Sequence, residues 1–205
     1  MHSSLRRQYC FIMHRGGSSD RAQTDRISTK GKHTKHLVRW KEATEKMSDV
    51  RDEEHKKLAI HLFNLTWDFI EKADRSEVDN EIMIHAAHAS RFHWSAIGKP
   101  LNFARGEWQI SRVYAIVGRP EPALYHARRS LEICLVNHLG DFDLGFSYEA
   151  LARAYGVMGD PVRRDEYISC ARKSAALVAK ESDKLWLLNN IDTVESLSLP
   201  KWSGT

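Results

Sequence analysis

Two stretches of this chain, 41 residues apart, can be laid over each other, and they limit what the chain can fold into. The first reads Arg112-Val113-Tyr114-Ala115-Ile116-Val117-Gly118-Arg119-Pro120. The second reads Arg153-Ala154-Tyr155-Gly156-Val157-Met158-Gly159-Asp160-Pro161. Each has a tyrosine, a glycine four residues on, and a proline two beyond that. Glycine closes a helix by admitting left-handed backbone. Proline suits the first turn of a helix, where its missing N–H does no harm. The pattern therefore ends one helix and starts the next, twice over. A chain that repeats such a unit builds helix pairs, either stacked in line or gathered into a compact bundle.

The rest of the folded region agrees. From Asp52 to Lys72 the apolar residues Leu58, Leu62, Leu65, Phe69 and Ile70 recur mostly at spacings of three to four, an amphipathic helix. Asp74 or Ser76, with Asp79 three after Ser76, is expected to cap a second helix. It is expected to present Ile82, His85, Ala86, Ala89, Phe92, His93, Ala96 and Ile97 on one face and to end at Gly98-Lys99-Pro100. A third helix runs from about Leu101 to Val117, and a fourth from Pro120 to about Gly140. A fifth begins at Asp141 or Asp143, placed as capping acids, and ends at Gly159. A sixth opens at Pro161 and reaches about Ala179. A seventh, capped by Ser182 or Asp183, carries Leu185, Leu188 and Ile191. No segment alternates like a strand. The expectation is an all-α chain of about seven antiparallel helices with short connections.

Ser111, Tyr114, Gly118, Ala123, Ala127 and Ser130 in the first unit, and Leu151, Ala152, Tyr155 and Gly159 in the second, resemble the tetratricopeptide (TPR) repeat family. The resemblance implies helix pairs stacked into a superhelix, with the first helix of each pair lining a concave surface that binds a protein or peptide. The period departs from the family's 34 residues, and Arg164 stands where the second unit should carry its helix B alanine. The pair from Asp52 to Gly98 has the shape without the motif.

Charge divides the chain. Residues 1–50 hold 11 Lys+Arg and 5 Asp+Glu, whereas residues 51–205 hold 20 and 22. The net charge of +4 thus reports on the first quarter, and any nucleic-acid contact would rest on that segment alone. Residues 1–46 are expected to be a basic, disordered extension, 47–198 the helical domain, and 199–205 a short tail. The apolar patch at Tyr9–Met13 is too short for a secretory signal. No apolar run reaches membrane-spanning length, so no membrane partner and a cytoplasmic location are expected. Three scattered cysteines make neither a disulfide framework nor a zinc site.

Two clusters stand out. His85, His88 and His93 share the second helix; two histidines three residues apart can reach one metal, although the glutamate of the His-Glu-x-x-His signature is missing. The second cluster joins His93 and Trp94 to the start of the third helix at Asn102, Arg105, Glu107, Trp108, Gln109 and Arg112. If that helix lines a concave surface, these residues form a groove, with Arg105 or Arg112 able to clamp a carboxylate. The other reading of the same residues is an Arg–Glu network fixing the junction between repeats. The favoured function is recognition of a protein or peptide, or self-association, with no cofactor and no catalytic residues. The alternative is an enzyme, metal-dependent or acting on a small molecule, using the histidines with Arg105 and Glu107.

Overall fold

A computed structural model of the protein describes residues 51–196. The extension assigned to 1–46 and the tail assigned to 199–205 lie outside the described residues. Among those described there are seven helices and no strand: α1 Asp52–Glu71, α2 Glu77–Ile97, α3 Pro100–Ile116, α4 Pro120–Val136, α5 Asp141–Met158, α6 Pro161–Leu177 and α7 Glu181–Glu195.

Local chemistry accounts for their ends. Asp52, Glu53 and Glu54 place negative charge at the positive end of α1. Ser76 and Asp79 form a reciprocal capping box for α2, with Asp79 N donating to Ser76 Oγ and Ser76 N donating to Asp79 Oδ2. Prolines open α3, α4 and α6. Gly118 and Gly159, at φ of 71° and 82°, supply the left-handed residue after α3 and α5. No helix among the described residues is long and apolar enough to cross a membrane.

Each helix packs against the next, and α3 also packs on α5, and α5 on α7. One apolar core runs through the array from Ala59 and Phe63 of α1 to Ile191 and Val194 of α7. A smaller cluster of Met83, Ala87, Ile110 and Val113 joins α2 to α3.

The 41-residue repeat is present in the contacts as well as in the letters. Tyr114 stacks on His126 with ring centroids 5.9 Å apart, and Tyr155 stacks on Tyr167 at 5.6 Å. Both members of the second pair lie 41 positions after their counterparts. Each tyrosine hydroxyl is also held by the helix before it, Tyr114 by His88 Nε2 at 3.0 Å and Tyr155 by Arg128 Nη2 at 3.1 Å. On α4 the fully buried alanines are Ala123 and Ala127, and on α6 they are Ala171 and Ala175. Arg164, at the place of Ala123, is partly buried and pairs with Asp165, and the small-residue contact of α6 lies further toward its C-terminus.

Three sequence expectations change. The core face of α2 is Met83, Ala86, Ala87, Ser90 and Trp94, while Ile82 and Phe92 stay exposed. Helix α7 buries Trp186, Leu187, Asn190, Ile191 and Val194, and leaves Leu185 outside. Both helices carry apolar residues on more than one face, so spacing alone cannot say which face meets the core. Asp143, expected to cap α5, is instead committed to an ion pair with α3.

Candidate functional site

The start of α3 lies against α5, and that contact decides what its polar residues do. Arg105 is buried and donates from Nε and Nη2 to both carboxylate oxygens of Asp143, at 2.6 and 3.0 Å. A bidentate pair of this kind is geometrically specific as well as strong. Beside it lies a void of about 10 Å³, lined by Ala104, Arg105, Trp108, Ser130, Asp143 and Phe146. That is room for about one water molecule.

Nearly two turns further along, Glu149 of α5 is buried and gathers three donors. Trp108 Nε1 approaches at 3.2 Å, Arg112 Nη1 at 3.1 Å, and Arg153 Nε and Nη2 at 2.7 and 2.5 Å. Arg153 continues to the Asn190 carbonyl and the Thr193 hydroxyl of α7. Glu149 and Arg153 together therefore tie α3, α5 and α7 to one another. Two arginines on one buried acid satisfy the charge that burial would otherwise make costly.

Glu107 faces the other way, toward α2 and α4. Arg91 Nε donates to its Oε1 at 3.0 Å, and His126 Nδ1 lies 2.7 Å from Oε2. Burial works to raise the Glu107 carboxyl, but the His126 hydrogen bond and the charges of Arg91, His126 and Arg129 outweigh it and hold it below the usual range. His88 packs edge-on to His126 with centroids 5.3 Å apart. Burial, then the neighbouring charge of His126, pushes the His88 imidazole below its ordinary value, Glu107 opposing.

The expected groove does not open here. Arg105, Glu107, Trp108 and Gln109 are buried, and Arg112 is mostly covered and bound to Glu149. Gln109 Nε2 donates to the Phe63 carbonyl of α1 at 3.0 Å. Asn102 accepts from the Lys99 backbone N–H at 2.9 Å and so serves the start of α3. Trp94 is in the core. The junction network is what the geometry contains, because α5 sits on the face that the groove reading left open.

The three histidines of α2 also part company. His85 is exposed, His88 bonds Tyr114, and His93 Nδ1 lies 2.9 Å from His55 Nδ1 on α1. Among the described residues no group of three or more His, Cys, Asp and Glu side chains is placed to hold a metal. His88 and His93 are five residues apart on α2, and Tyr114 of α3 and His55 of α1 take them separately.

His126, Glu149 and Arg153 were missed in the sequence. A signal for two of them was available, since Glu149 and Arg153 stand 41 residues after Trp108 and Arg112. Comparison with family models, with curated proteins and with solved structures finds no match.

Proposed function

We propose that the chain is a TPR-like helical-repeat module that binds a protein or peptide and carries no bond-making chemistry of its own. The observation behind this reading is the recurrence of the Tyr114–His126 contact at Tyr155–Tyr167. Units of one design stacked in line present a surface extended along the array, suited to recognition. Fold alone does not assign function, so the side chains matter. Arg105 and Arg112 of α3 are engaged with Asp143 and Glu149 of α5, and Glu107 with Arg91 and His126, which leaves recognition to what stands outside.

On α4 that includes Tyr125, which is exposed and packs edge-on to His126 with centroids 5.0 Å apart. Tyrosine brings large contact area at small entropic cost and is enriched where proteins meet. The test is capture of a partner by the full chain from its own cells. Loss of capture in Tyr125→Asp, with capture kept in Leu177→Asp on α6, supports the reading. Equal capture by both, or none by the unaltered chain, overturns it.

One observation favours the enzyme reading: Glu107 orients His126 through Nδ1, an arrangement that leaves Nε2 for a substrate proton. A panel of small metabolites screened by thermal shift decides between the two. A stabilising compound whose effect disappears in His126→Asn would favour the enzyme.

A further inference from the structure

The 41-residue repeat carries its aromatic rings from one unit to the next, but not its carboxylate. In the first unit Glu107 of α3 is the acid that meets Arg91 of α2 and His126 of α4. The residue 41 positions after Glu107 is Tyr148. It stacks on Tyr167, which stands in the place of His126, with centroids 6.3 Å apart. The group that holds the tyrosine hydroxyl changes as well: His88 holds Tyr114, whereas Arg128 Nη2 holds Tyr155 at 3.1 Å. An imidazole is neutral over much of the ordinary pH range, but a guanidinium keeps its charge. The second unit thus has a fixed positive charge and lacks the acid.

Elsewhere the array matches its arginines. Of the twelve among residues 51–196, nine lie within 4 Å of a carboxylate oxygen. Arg75 donates instead to the backbone carbonyls of Phe69, Ile70 and Lys72. Arg119 and Arg128, at the start and on the third turn of α4, meet no carboxylate among the described residues. Arg128 is exposed, and its bond to Tyr155 leaves other donors of its fork free. Arg163 opens α6 with its guanidinium carbon 5.4 Å from the centre of the Tyr155 ring. Its pairing with Asp160 is loose, at 3.6 Å, and its side chain is 57% exposed. Helices α4 and α6 both pack on α5 and scarcely on each other. Arg128 therefore reaches Tyr155 from one helix and Arg163 reaches it from the other.

We propose that the side of α5 between α4 and α6 binds an acidic segment of a partner protein, whose Asp or Glu side chains are received by Arg128 and Arg163. The proposal names the partner's chemistry for the recognition reading and rests on it. Charge complementarity carries it: the partner supplies the carboxylate that Glu107 supplies within the first unit. An arginine fork suits a carboxylate, which it can grip through two parallel hydrogen bonds. A nucleic acid fits this place less well. Residues 51–196 hold 19 Lys+Arg and 22 Asp+Glu, a net of −3 that opposes a phosphate backbone. Base stacking needs an open ring face, and Tyr155 is 3% exposed between Tyr167 and Arg163.

The test selects a phage library of random, unphosphorylated peptides on the full chain and measures the enriched peptides by fluorescence anisotropy. Enrichment in Asp and Glu is expected. These peptides should bind about ten-fold more weakly to the chain carrying both Arg128→Gln and Arg163→Gln. They should bind unchanged to Arg172→Gln, whose arginine is already paired with Asp192 and Glu195. Circular dichroism confirms that each variant is folded. If the double variant melts early, Arg163→Gln alone, at an exposed and loosely paired position, makes the comparison. Acidic peptides held equally by the altered and unaltered chains would overturn the proposal, placing them on other positive groups such as those of residues 1–50. Enriched peptides without acidic residues would overturn it and leave the recognition reading standing. No enrichment at all overturns both. Binding of a single-stranded oligothymidine that is lost in the double variant would overturn it in favour of nucleic acid.

Discussion

At the scale of single residues, the carboxylates of the array are worth more as partners than as charges. Glu149 is buried and has three donors, so removing it takes the opposing charge from both Arg112 and Arg153. Glu149→Ala is expected to cost about 3–5 kcal/mol in urea unfolding, the range for breaking a buried pair from one side. The Arg105–Asp143 pair gives a sharper contrast. Arg105→Met alone leaves Asp143 uncompensated and should destabilise by a similar amount, while Arg105→Met with Asp143→Leu should recover most or all of the loss. A double-mutant cycle reads this directly. Asp79 sits at the other extreme, at the exposed start of α2. The hydrogen bond from Lys72, then those from the backbone and side chain of Ser76, lower its carboxyl to about 2. An NMR titration of the full chain is expected to find it there.

At the scale of helices, contacts too close for a side chain set the tolerances. Gly145 of α5 lies where a Cβ would collide with Leu187 of α7 and press on Ser174 of α6 at 3.3 Å. Gly145→Ala therefore has to displace the Leu187 side chain and press on Ser174, and is expected to cost about 1–3 kcal/mol. Gly159 fails differently, because there is open space around it but its φ is 82°. Gly159→Ala should cost about 1–2 kcal/mol through backbone strain alone. Thermal melts of the two variants, with Ser174→Gly added to each, separate the causes: only Gly145→Ala should be partly relieved. Helix ends were legible in the sequence because Gly118, Gly159, Pro100, Pro120 and Pro161 act on their own backbone. The buried faces of α2 and α7 were not, because Ile82, Phe92 and Leu185 fit a helical stripe as well as Met83, Trp94 and Leu187 do.

For the whole molecule, ionisation links the array to pH. His88 and His93 are both held below the ordinary imidazole value, each by burial first and then by a neighbouring histidine, His126 and His55 respectively. Glu107 and Asp79 are held below the ordinary carboxylate values. All four bind protons less readily folded than unfolded. Their contribution is therefore complete above the ordinary values and is lost as pH falls through the folded ones. The urea midpoint is expected to be level between about pH 7 and 8 and to decline in two stages on acidification, the first below the histidine value near 6.5 and the second below the carboxylate values near 4. Replacing both His88 and His93 by Asn should remove the first stage and leave the second.

The sequence by itself determined the helical class, the ends of most helices and the 41-residue repeat, since each depends on residues a few positions apart and on backbone chemistry that acts locally. Which polar side chains meet was decided only in three dimensions. Arg105 and Asp143 are 38 positions apart, Arg112 and Glu149 are 37, and His55 and His93 are 38. A helical period states which side chains share a face, but not which neighbour arrives to cover it. For α3 that neighbour is α5, and its arrival turns a set of residues shaped like an open binding groove into the polar seam that holds the array together.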